Sequence, residues 1–204
     1  MSGEAALIPD LIRQTFADPP GAARRLLGLH LPTDTLWQAL LLVAVLSALA
    51  VQVPALMMID QTDEAAELPP ILMASPLVMG LIQVGVLVIM VFAVHWVGRA
   101  FGGTGAFEGA LTLVTWLQFV LIVLQILQSV LGLFAPLVAG LLFLASLGIF
   151  FWLLTHFVMV LHGFPSAGMV FVGIIVSMLG MMFGLSVLLS ILGVTLNGEL
   201  PSNV

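Results

Sequence analysis

Three histidines and a glutamate are the residues best equipped for chemistry in this chain: His95, His156, His162 and Glu108. His95 stands one helical turn before Arg99, about 6 Å along an axis rising 1.5 Å per residue, and His156 lies about 9 Å before His162. Two imidazoles and a carboxylate in one layer are able to ligate Zn²⁺ or relay protons near neutral pH. Against such a site, no compact ligand motif of the HExxH kind links them. Histidine, tryptophan (Trp96) and arginine also mark the headgroup level of membrane proteins in general. No cofactor is expected. The chain lacks GxSxG, HExxH and a phosphate-binding loop, and it has no cysteine for thiolate chemistry. The glycine run Gly102-Gly103-Thr104-Gly105 is followed by no Lys-Ser/Thr, so it reads as a flexible turn. Catalysis is not expected.

A second group is polar without being ionisable. Thr112, Thr115, Gln118, Gln125 and Ser129 follow Glu108 at spacings that line one side of a helix. That stripe faces protein or water. It reads either as interhelical hydrogen-bonding glue or as the wall of a hydrophilic pathway. A third group is small: Gly173, Ser177, Gly180 and Gly184 fall on one face, the last two as GxxxG. Such a face packs tightly within the chain or forms a homodimer seam.

The elements that carry these residues follow from composition. Of 204 residues, 62% are hydrophobic and 7% charged, with mean hydropathy +1.28. A soluble domain carries about 25% charged residues, so this is a membrane protein. The four basic residues are all arginine, and net charge is −6, which excludes a polybasic nucleic-acid binder. A hydrocarbon core of about 30 Å needs about 20 apolar residues per helix. Five stretches qualify: about 36–58, 76–98, 109–132, 136–161 and 169–195. They are apolar on every face and lack the alternation of a membrane barrel, so the fold class is all-α, a five-span bundle. Residues 35–197 form the spanning domain and 198–204 a tail.

Arg13, Arg24, Arg25 and Arg99 fall on one side of such a bundle, which predicts a cytoplasmic N-terminus and an external C-terminus. Asp60, Asp63, Glu64 and Glu67 then fill an external loop, broken at Pro69, Pro70 and Pro76. The segment 1–34 divides at Asp18-Pro19-Pro20, where Asp18 is a good N-cap and Pro19 a good first-turn residue, predicting a helix over about 19–29. That amphipathic piece lies on the cytoplasmic leaflet, docks a partner, or simply leads into span 1. With some 34 residues before the first hydrophobic run, a cleaved signal peptide is not expected.

Three stretches, FADPPGAARRLL, HWVGRAFGGTGAFEGALTLVTW and WLLTHFVMVLHGFPSAGMVFVGII, resemble the Ypt-interacting-protein (Yip) family of five-span membrane proteins, in particular its bacterial branch. The resemblance covers about Phe16 to Leu196. It implies N-terminus in and C-terminus out, in agreement with the arginine placement. Eukaryotic members bind prenylated Rab-type GTPases through a long cytosolic N-terminal region. Here that region is about 34 residues, so a Rab partner is not expected. Arginine without lysine and richness in Ala and Gly point to a GC-rich bacterial genome, and the expected location is then a bacterial inner membrane.

The expected function is a non-enzymatic membrane protein that organises lipids or partner proteins, through its N-terminal segment or as a homo-oligomer through span 5. The alternative is a small transporter, channel or lipid-moving protein that uses the span 3 stripe. A hydrated cavity lined by Thr115, Gln118 and Gln125 would favour the alternative, and a dry bundle the organiser.

Overall fold

The computed structural model describes residues 7–59 and 76–191. Asp60, Asp63, Glu64, Glu67, Pro69 and Pro70 lie outside these residues, as do 192–195 and the tail 198–204. All described elements are helices: α1 (Leu7–Ala17), α2 (Pro19–Leu27), α3 (Thr33–Ile59), α4 (Pro76–Ala100), α5 (Phe107–Phe134), α6 (Pro136–His162) and α7 (Ala167–Ile191). Helices α3 to α7 are long and apolar enough to cross a membrane. The protein is therefore a five-span helical membrane protein, and each long helix contains the described part of one expected span.

Proline and glycine set the ends. Pro76 and Pro136 open α4 and α6, where the missing N–H costs nothing. Gly102 (φ +88°) and Gly163 (φ +71°) close α4 and α6 in the left-handed conformation that L side chains avoid. At the first, Gly103 N–H donates to Gly98 O at 2.9 Å and Gly102 N–H to Arg99 O at 3.0 Å. Phe164 N–H donates to Met159 O at 3.0 Å at the second. These are Schellman closures, which satisfy carbonyls that a helix end would otherwise leave bare.

The chain forms two units, divided after Pro165. In the first, α5 is the central helix. It packs on α3, α4 and α6, and half of it is buried within the chain, against 11% for α4 and for α6. The large apolar side chains of α4 and α6, such as Leu81, Ile89, Leu137 and Leu144, are exposed on the outside, as lipid-facing residues must be. The described part of the second unit, from Ser166, is helix α7, whose first turn begins with Met169 N–H donating to Ser166 Oγ at 3.5 Å.

The N-terminal helices belong to the first unit. Asp18 caps α2, accepting from Gly21 N–H at 3.0 Å, and Pro19 and Pro20 open it. The apolar face of α2 (Pro19, Ala22, Ala23, Leu26) is buried, and α2 packs on α6 and α5. Arg24 and Arg25 stay exposed on its other side. The sequence left this helix as a lead-in or an interfacial element, whereas its small residues let it dock closely on the bundle.

Candidate functional site

Where α4 ends, α5 begins and α6 ends, the backbone closes around one imidazole. His162 is 2% exposed. Its Nε2 donates to Val94 O on α4 at 3.0 Å, and its Nδ1 accepts from Gly105 N–H at 3.2 Å. One partner is an acceptor and the other a donor, so the ring is held as the neutral Nε2–H tautomer. The carbonyl of His162 also accepts from Thr104 N–H, at 3.3 Å. Phe164 stacks on the ring with centroids 5.6 Å apart.

Glycine makes this fit. A Cβ at Gly98 would overlap the His162 ring; one at Gly103 would stand 2.5 Å from His162 Cβ, and one at Gly105 2.7 Å from Leu161 Cγ. Real Cβ atoms do not approach that closely. The run Gly102-Gly103-Thr104-Gly105 is thus the expected turn, but one moulded on His162, where composition alone suggested flexibility. The correction has a simple cause: glycine permits both mobility and close approach, and only the neighbour decides which.

The other ionisable candidates are engaged separately. His95 sets its ring edge-on to Phe107 at 5.7 Å, in a group with Phe92 and Trp37, and its Nδ1 is buried without a hydrogen-bond partner. His156 turns back on its own helix: Nδ1 donates to Trp152 O at 2.7 Å, and the ring meets the Trp152 indole at 5.5 Å. Glu108 is exposed. Among the described residues, no three side chains of His, Asp or Glu gather so as to hold a metal ion.

The stripe on α5 has a different fate. Gln118 Nε2 donates to Ser47 Oγ on α3 at 2.9 Å, and Ser47 Oγ donates to Gln125 Oε1 at 3.3 Å. Two turns separate the amides, so one serine on the facing helix reaches both. Ser129 Oγ lies 3.0 Å from Gln125 O and 3.4 Å from Ala50 O on α3. Thr112 Oγ1 donates to Glu108 O within its own helix at 2.8 Å, and Thr115 Oγ1 is buried without a partner. On the opposite flank, Gln128 Nε2 donates to Ser146 Oγ of α6 at 2.8 Å. A void of about 10 Å³ between α4, α5 and α6 is walled by Val94, Leu113, Val114, Leu117, Phe157 and their neighbours. It holds one water at most and offers such a water no polar side chain.

Ser47, Gln128, Ser146 and the glycines at 98, 103 and 105 are participants that sequence reasoning missed. A single serine in a run such as LLVAVLSALAV gives no periodic signal, but its isolation in an apolar span was itself a cue, since a lone hydroxyl in hydrocarbon needs a partner. On α7, Ser177 Oγ donates to Gly173 O at 2.7 Å. Among the described residues of its own unit, α7 has no second helix to meet the face formed by Gly173, Ser177, Gly180 and Gly184.

A search of curated proteins and a search of solved structures each return no match. The family comparison is positive: the Yip1 domain model matches residues 13–188, from α1 to near the end of α7. With that match over most of its length and five membrane-spanning helices, the chain belongs to the Yip1 domain family.

Proposed function

We propose that this protein is a non-enzymatic organiser of its membrane, acting on lipids or partner proteins through its shape and surfaces. The observation that carries this reading is the Gln118–Ser47–Gln125 chain of hydrogen bonds. Of the two readings of the stripe, glue or pathway wall, these bonds favour glue between α5 and α3, and they leave its amides little capacity to replace a solute's hydration. The Yip1 family is generally non-enzymatic, which agrees with the absence of catalytic motifs.

In the same proposal the N-terminus is cytoplasmic and the C-terminus external, on the arginine placement, and the membrane is a bacterial inner membrane. The small-residue face of α7 packs on another helix, of this chain or of a second copy. His95, Glu108, His156 and His162 serve structure at the headgroup level.

Reconstituted vesicles test this reading. The purified protein should neither release an entrapped small solute nor scramble a fluorescent phospholipid beyond protein-free vesicles. A flux that scales with protein and disappears in Gln118→Leu would overturn it in favour of transport.

A further inference from the structure

Helix α1 carries three distinct faces. Leu11 and Thr15 are buried, at 1% and 0% exposure. Next to them, Ile8 and Phe16 are exposed at 49% and 39%, with Ile12 half-buried between them at the i, i+4, i+8 spacing of one stripe. Asp10, Arg13 and Ala17 complete the turn on an exposed face, beside Gln14, which accepts from Arg25 Nη1 at 3.2 Å.

The depth of this helix is set by a bond to a membrane span. Trp116 Nε1 donates to Thr15 Oγ1 at 2.9 Å. Trp116 lies nine residues beyond Phe107, about 13 Å along α5. Its indole leans back toward the start of the helix, as long side chains on helices do. At the other end of the pair, Leu27 Cδ2 of α2 lies 3.0 Å from where a Cβ on Gly109 would stand, near the start of α5. The chain therefore rises along α2 from the level of Trp116 toward the end of the bundle, and α1 meets it at the deeper level.

We infer that α1 is an interfacial helix embedded in the leaflet at the arginine-bearing end, with Ile8, Ile12 and Phe16 against lipid acyl chains. Asp10, Arg13 and Gln14 then face headgroups and water. A water-surrounded helix would leave its Ile8–Phe16 stripe unburied at a depth where the neighbouring faces of the bundle are lipid-facing. Interfacial amphipathic helices bury their apolar face about 5–10 Å into the headgroup/acyl boundary, and the Thr15–Trp116 bond holds α1 below the start of α5. The Thr15–Trp116 bond holds the stripe beside a membrane span, so acyl chains are its occupant. The helix adds cross-section to one leaflet only. This inference rests on the depth of Thr15 and is independent of whether the protein transports anything.

The cysteine-free chain allows a direct test. Single cysteines at positions 8, 10, 12, 13, 16 and 17 of the full-length protein are spin-labelled in phosphatidylethanolamine/phosphatidylglycerol vesicles. Collision with oxygen, which concentrates in lipid, is compared with collision with a water-soluble nickel chelate. Positions 8, 12 and 16 should favour oxygen severalfold over positions 10, 13 and 17, with helical periodicity. Nickel access at 8 and 16 equal to that at 13 would mean a helix in water and would overturn the inference. Protection of 8 and 16 from both reagents would mean a covering protein and would overturn it equally. Ile8 and Phe16 are exposed, so their replacement leaves the fold intact even where a label at the half-buried Ile12 does not.

Discussion

At the scale of single residues, the position of greatest consequence is His162. Its ring and carbonyl together engage two turn amides and one helix carbonyl, and loss of the ring would leave the Gly105 N–H without its partner. Gly98→Ala pushes a methyl into that ring, and overpacking of this kind costs about 1–3 kcal/mol. In equilibrium unfolding in mixed micelles, Gly98→Ala should be clearly less stable than wild type. Once His162→Ala has removed the obstructing ring, the glycine substitution should cost much less, a coupling of at least about 0.5 kcal/mol. Additive effects would mean that the two do not touch. Gln118→Leu is a milder case. It removes one interhelical hydrogen bond of a kind worth about 0.6 to 2 kcal/mol in membranes, so the same measurement should show a loss within that range.

Whole helices obey a different logic, because their placement is decided by faces. Asp18 caps α2 by its side chain, and its removal by Asp18→Ala should cost about 1 kcal/mol. Since α2 packs on α6 and α5, that loss should appear as faster protease cleavage between α1 and α3 while the spans stay intact. For α7, Gly184→Leu sets a bulky side chain on the small-residue face. If that face meets a second copy, the oligomeric state in mild detergent should fall toward monomer; if it packs within the chain, folding yield should fall instead. Wild-type behaviour in both would show the face to be lipid-exposed.

The molecule as a whole has a direction in the membrane, and every one of its arginines lies at the end where α2 docks and α4 gives way to α5. With no native cysteine, impermeant maleimide labelling in intact cells reads that direction. Ala100→Cys should be protected and Thr62→Cys should react. The reverse pattern would turn the protein over and move the His162 turn to the outside. The same inversion would carry α1 to the outer leaflet without altering its depth, since depth is set by Trp116 and not by orientation.

Five spans and an all-helical bundle were legible in the amino-acid sequence because the bilayer imposes a length and a hydropathy on any segment that crosses it, and those are one-dimensional quantities. The Asp18 cap and the Pro19 start were legible for a similar reason: capping acts over three or four residues. The polar stripe could be seen as a stripe, but its partner could not. Whether Gln118 and Gln125 face water or Ser47 depends on which helix lies beside α5 and at what rotation, and apolar spans carry no amphipathic moment to announce either. The histidine layer shows the same divide. Chain distance puts His95, His156 and His162 within two turns of the same helix ends, yet azimuth sends one to an aromatic group, one to its own helix and one into a glycine cradle. Sequence determines how deep a residue sits in a membrane helix; only the packing of the helices determines what it meets there.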